Sequence, residues 1–290
     1  MVKIENEFLT AEINLHGAEL ASLVSKEDGT EYMWQADPKV WARHAPVLFP
    51  IVGALKDDQY TVNGKTYHMT RHGFARDLDF TVASQTADAV ELELRDSDAT
   101  HEKYPFAFRL VLSYKLTGKD LAIGYHVENP ADEEMFFSVG AHPAFNVPLK
   151  DGLNFDDYTF KFSPEADRTK VGLAGKYADF AAGKTVSENE LPLSLDLFKN
   201  DALIYVLDGK ETAMSLTTDK DTHGVSLSVT GAPYVGIWSN YPTPGAFCCI
   251  EPWWGVADGP ESDGKFETKR GINKLAGGAT FEAGYTVSVF

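Results

Sequence analysis

Cysteine is nearly missing from this chain: its 290 residues hold two, Cys248 and Cys249, and they are neighbours. Adjacent strand residues point to opposite faces, so the two are badly placed for a disulfide, and a metal site built from several cysteines is excluded by counting. Long apolar runs are lacking too. Nothing approaches the roughly eighteen consecutive apolar residues of a membrane-spanning helix. The start, Met1-Val2-Lys3-Ile4-Glu5-Asn6-Glu7, has no apolar stretch of the signal-peptide kind. A reducing, cytoplasmic location without a membrane partner is expected. Positive charge is scarce: 26 Lys and Arg stand against 43 Asp and Glu, a net −17. A polyanion meets net repulsion at long range, so no nucleic-acid partner is expected, whereas a small neutral ligand is unaffected.

Helical periodicity is also thin. Only Pro38 to Arg43 and Leu193 to Asn200 have room for a turn or two, too little for the crossover helices of a parallel sheet. Two-residue alternation is everywhere instead. Phe108, Leu110, Leu112, Tyr114 and Leu116 alternate with polar or smaller residues, a turn follows at Gly118-Lys119-Asp120, and Leu121, Ile123, Tyr125 and Val127 alternate again. That is the pattern of an antiparallel hairpin. Asn63-Gly64 between Tyr60 and Tyr67 is the strongest two-residue hairpin signal, and Val90–Leu94, Val225–Val229 and Tyr285–Val289 read as further strands. The segment from Asp151 to Leu197 mixes Gly, Lys, Asp and Ala and is expected to form long loops over one rim. With no Pro- or Ser-rich linker and no repeat, residues 1–290 are expected to form a single all-β domain, a large antiparallel β-sandwich with few short helices.

Four stretches break the alternation with polar groups set among Gly, Pro and aromatics, as happens where a loop is shaped around a ligand. They are Trp41–Gly53, led by Arg43; Arg71-His72-Gly73-Phe74-Ala75-Arg76; Ser138–Asn146, centred on His142; and Cys248–Gly255, where Glu251 precedes Pro252, Trp253 and Trp254. A carboxylate against indoles loses hydration, which raises its pKa and suits a general base. The same residue also suits a strand-edge ion pair. His142 and His72 are each compatible with a satisfied turn histidine, the three arginines with plain surface charge, and the tryptophans with either sugar-stacking platforms or core. Taken together, a histidine and a glutamate on separate strands of one scaffold could flank a polyhydroxylated ligand as acid and base.

The strings Ala45-Pro46-Val47-Leu48-Phe49-Pro50-Ile51-Val52-Gly53, His72-Gly73-Phe74-Ala75-Arg76, Gly140-Ala141-His142-Pro143-Ala144-Phe145 and Ile250-Glu251-Pro252-Trp253-Trp254-Gly255, in this order, resemble the aldose 1-epimerase (galactose mutarotase) family, in its LacX-type branch. The resemblance implies a galactose mutarotase-like supersandwich with a sugar cleft on one curved sheet. It places Glu251 as catalytic base and His142 as catalytic acid. It makes His72, Arg43, Arg76 and Asp201 substrate-binding residues, and it implies no cofactor and no metal. The substrate class would be a hexose, free or 6-phosphorylated, since Arg43, Arg71 and Arg76 together could hold a phosphate. Two other classes compete: a carbohydrate-binding protein without turnover, and a hydrolase with zinc held by His72, His142 and Glu251.

Overall fold

Period-two burial builds the architecture directly. In the strand Arg109–Thr117 the side chains of Leu110, Leu112, Tyr114 and Leu116 are buried, and the hairpin with Asp120–Glu128 pairs Leu112 with Tyr125 and Leu116 with Leu121. Each such face needs a second layer to cover it. The structure, a computed structural model, describes residues 1–242 and 246–290. The larger sheet is nine-stranded, in the order Glu190–Pro192, Thr159–Ser163, Thr212–Thr217, Val225–Val229, Thr280–Val289, Asp120–Glu128, Arg109–Thr117, Ala89–Arg95 and Thr81–Gln85. All its neighbours are antiparallel.

The second large sheet is seven-stranded. Phe247–Trp254 lies between Val139–Gly140 and Ala144–Asn146 on one side and Tyr234–Trp238 on the other, followed by Leu203–Val206, Arg168–Ala174 and Tyr177–Val186. The two sheets share one core. Tyr125 of the first packs against Trp254 of the second with ring centroids 6.0 Å apart, and Phe162 meets Tyr205 at 5.2 Å. The all-β sandwich expected from alternation is therefore what forms. Helix among the described residues is limited to Asp98–His101, capped by Ser97, and a few 3₁₀ turns. No helix among them is long and apolar enough to cross a membrane.

One expectation needs correction. The region from Asp151 to Leu197 is not mainly loop: it supplies the strands Thr159–Ser163, Arg168–Ala174, Tyr177–Val186 and Glu190–Pro192. Its long hairpin forms an edge of the seven-stranded sheet with a register shift between Lys170 and Gly172. An exposed edge tolerates the Ala, Gly and Lys that conceal a strand from its composition. Pro38 to Arg43 makes only a turn, with Val40 and Trp41 both donating to the carbonyl of Asp37, while Leu193 to Asn200 does contain the 3₁₀ helix Leu195–Phe198.

Candidate active site

Phe247–Trp254 is buried along its whole length, and alternation divides its side chains between two environments. Cys248, Ile250 and Trp254 enter the core between the sheets, whereas Glu251 and Trp253 line a pocket of about 190 Å³ on the opposite face. Glycines make room for Trp253. A Cβ on Gly236 would lie 2.5 Å from its indole and one on Gly140 would lie 2.8 Å from it, so the ring lies flat across both neighbouring strands. Glu251 pairs in register with Gly236, which leaves its carboxylate uncrowded from that side.

His142 sits in the short link between Val139–Gly140 and Ala144–Asn146, which is tied down on both sides. Ala141 donates to the carbonyl of Pro252, and Ala144 donates to that of His44. Three rings fix the imidazole: Trp41 stacks on it at 5.1 Å, Trp238 meets it edge-on at 5.6 Å, and His72 does so at 5.6 Å. Its Nε2 is 3.3 Å from Oε2 of Glu251. Burial pushes the Glu251 carboxyl well above its usual range, reinforced by the nearby Asp201 charge and opposed by that of Arg71. Burial also drives His142 down, to about 3, with the surrounding arginines acting in the same direction. Both charged forms are disfavoured, so the pair is held with one proton between two groups.

His72 adopts a left-handed backbone, φ +71°, and so does Gly73, where a Cβ would come within 2.3 Å of the Phe49 carbonyl. A bulky residue in this conformation is strained, and such strain is concentrated at functional sites. The bend seats the imidazole on Gly53, whose backbone N–H donates to His72 Nδ1 at 3.1 Å, while the His72 N–H donates to the Gly53 carbonyl at 2.9 Å. With Nδ1 accepting, Nε2 of the neutral ring carries the hydrogen and is a donor. Burial pushes this imidazole well below its ordinary pKa, so it stays neutral.

Arg71, Arg76, Lys176 and Asp201 also line the pocket. Arg71 donates through both Nη atoms to Asp201 Oδ2 at 3.2 Å, and Asp201 itself has φ +80°. Lys176 binds Asp58 at 2.6 Å. Arg76 donates through Nη2 to the Arg71 carbonyl, while its Nε makes no hydrogen bond among the described residues and faces Asp77 Oδ2 at 3.8 Å. Arg43 is a correction: it lies outside the lining, with Nη2 on Asp77 Oδ1 at 2.6 Å and Nη1 on the Arg76 carbonyl at 3.3 Å. It braces the turn that presents Arg76. Of the two candidate indole platforms, Trp253 faces the pocket and Trp254 the core. Trp41, the first residue of the stretch Trp41–Gly53, and Trp238 complete the aromatic wall, and of the two Trp238 carried no signal in the sequence beyond its being aromatic.

The grouping of metal donors also differs from the expected one. His72 Nδ1 is occupied by Gly53, and the set that converges among the described residues is His142, Cys249 and Glu251. Four buried polar atoms of pocket-lining residues have no hydrogen-bond partner among the described residues: His142 Nδ1, Glu251 Oε1, Trp253 Nε1 and Arg76 Nε. Leaving one such atom unpaired costs about 1–3 kcal/mol, and three of the four belong to His142, Glu251 and Trp253, grouped on one pocket wall where a ligand rich in hydroxyls could pair with them.

Comparisons with known proteins agree on one group. A family model described as aldose 1-epimerase matches residues 1–259. The chromosomal LacX protein of Lactococcus lactis subsp. lactis is 31% identical over 300 residues, covering 99% of both chains. A structure of a galactose mutarotase related enzyme from Lactobacillus acidophilus superposes with a TM-score of 0.98 at 43% identity, covering 100% of this chain and 97% of that one. A galactose mutarotase-like protein from Lactobacillus casei gives a TM-score of 0.92 at 34% identity, with complete coverage of both chains.

Proposed function

The chain belongs to the aldose 1-epimerase family, and from that premise we propose that it is an aldose mutarotase, interconverting the α and β anomers of a hexose with Glu251 as base and His142 as acid. The observation that carries this is the pair itself: a buried carboxyl and a buried imidazole 3.3 Å apart on the wall of a pocket lined by unpaired polar atoms. Opening a cyclic hemiacetal requires removing the proton of the anomeric hydroxyl while delivering one to the ring oxygen. Glu251 takes the first and His142 gives the second. The aldehyde turns about its bond to the neighbouring carbon, the hydroxyl attacks the other face, and the roles reverse. Before substrate binds, the pair's one titratable proton rests on Glu251, so ring opening starts once substrate binding has shifted it to His142 and left Glu251 ionised. Opening then carries it through the substrate back to Glu251, and closure returns it to His142. No cofactor enters this chemistry.

His72 Nε2 donates to the sugar on the ring-oxygen side, the Arg76 guanidinium donates to a sugar hydroxyl, and Asp201, oriented by Arg71, accepts from distal hydroxyls. Trp253 supplies a flat apolar face for the ring. Two of the pocket's cations, Arg71 and Lys176, are already neutralised by Asp201 and Asp58, which favours a free hexose over a 6-phosphate. Residues 1–290 work as one domain, and the two buried free thiols suit a reducing cytoplasm.

Saturation-transfer NMR between anomers, run over free and 6-phosphorylated aldoses, tests this reading. It predicts accelerated exchange for at least one free hexose and less for its 6-phosphate. Sugar-dependent thermal stabilisation without acceleration would instead identify a binding protein without turnover.

A further inference from the structure

We propose that Cys249, His142 and Glu251 form a binding site for a soft divalent cation of the zinc class, and that its occupation shuts off turnover. Cys249 lies two residues before Glu251 on the same side of Phe247–Trp254 and is a free, fully buried thiol. Its Sγ, a ring nitrogen of His142 and a carboxylate oxygen of Glu251 all lie within 4.8 Å of one another. Ligand bonds of about 2.0–2.3 Å in a tetrahedral site put neighbouring donor atoms about 3.5 Å apart, so small side-chain rotations bring these three onto one ion.

A second, independent feature points to a ligand here. Among the described residues, His142 Nδ1 and Glu251 Oε1 have no hydrogen-bond partner, on side chains only 10% and 2% exposed. Thiolate, imidazole and carboxylate together match zinc and cadmium, not magnesium or calcium. The charge also balances. A dication replaces the thiol proton and any proton on Glu251, both of which leave to solvent, and neutralises the thiolate and carboxylate it holds. A buried neutral assembly avoids the cost of either anion alone. His142 and Glu251 line the pocket, so a fourth ligand, water or a sugar hydroxyl, would reach the ion from that side. The loss of turnover rests on the assignment of Glu251 and His142 as base and acid, since the ion would occupy both; the binding itself does not.

Titration with cadmium, followed by the ultraviolet sulfur-to-cadmium charge-transfer band, tests the site independently of activity. The unmodified protein is expected to give one equivalent of the band, Cys248→Ala to keep it, and Cys249→Ala, which removes the thiolate ligand, to lose it. Absence of the band in the unmodified protein, or its survival in Cys249→Ala, overturns the proposal. Should Cys249→Ala fold poorly, Glu251→Gln gives the same decision by a weakened but still thiolate-derived band, and an unchanged affinity there overturns the site. In parallel, zinc should suppress anomer exchange and a chelator restore it. A band without any exchange activity to suppress would leave the metal site standing and remove the mutarotase assignment.

Discussion

On one face of Phe247–Trp254, Cys248, Ile250 and Trp254 meet the core; on the other, Glu251 and Trp253 meet the pocket with Cys249 beside them. Both faces are buried, so burial does not distinguish structure from function. Polar satisfaction does. The Cys248 thiol has a backbone carbonyl partner at 3.8 Å, whereas Glu251 Oε1 and Trp253 Nε1 have none among the described residues. One strand thus contributes to cohesion with one face and holds unpaired groups ready for a ligand with the other.

Substitutions can break this division. His142→Gln keeps a polar group near the imidazole position but no transferable proton at neutral pH, so anomer exchange should fall by about 10²–10⁴ with the melting temperature little changed. An equal loss of rate and of melting temperature would mean that His142 is only structural. On the core face, Ile250→Ala should lower unfolding free energy in urea by about 2–5 kcal/mol while the folded enzyme keeps its turnover. A selective fall in kcat there would blur the two faces. Asp201→Asn removes a charged distal acceptor and, as a smaller effect, a charge that raises Glu251, so KM should rise about tenfold while kcat changes less than KM.

The smallest expected effect is on pH. The His142 value is depressed to about 3 and that of Glu251 is raised, so the pair gains a second proton only as pH falls toward the former and loses its single proton only as pH rises past the latter. Protonation of His142 should therefore give no acid limb in the ordinary histidine range near 6.5. A full acid limb centred there would contradict the shared-proton description. Stability follows the same signs. A raised Glu251 value means that the folded chain binds the extra proton, so its contribution is present below the unfolded value near 4.5 and is lost as pH rises. For His142 the depressed value makes stability fall as pH drops from about 6.5 towards 3.

Much of this was legible in the residues. The hairpin at Asn63-Gly64 pairs Val62 with Lys65 as its turn chemistry requires, and Val225–Val229 forms the strand its alternation marks. Bends such as His72-Gly73 and links such as Gly140-Ala141-His142-Pro143 stood out because they break that alternation, and both reach the pocket. Direction was not legible. Nothing in the run Trp41-Ala42-Arg43 tells that the indole faces the pocket while the guanidinium turns to Asp77, because aromatic wall and aromatic core share one composition. The edge hairpin Arg168–Val186 escaped notice for a related reason: exposed edges need little β-propensity, and only tertiary pairing with Leu203–Val206 reveals them.

The most direct test is anomer exchange by Glu251→Gln, measured by saturation transfer on protein shown by its melting curve to be folded. Exchange should fall to the spontaneous rate while the melting temperature at neutral pH holds or rises, since a neutral amide replaces a carboxyl that burial disfavours in its ionised form. Exchange at the unsubstituted rate would contradict the account.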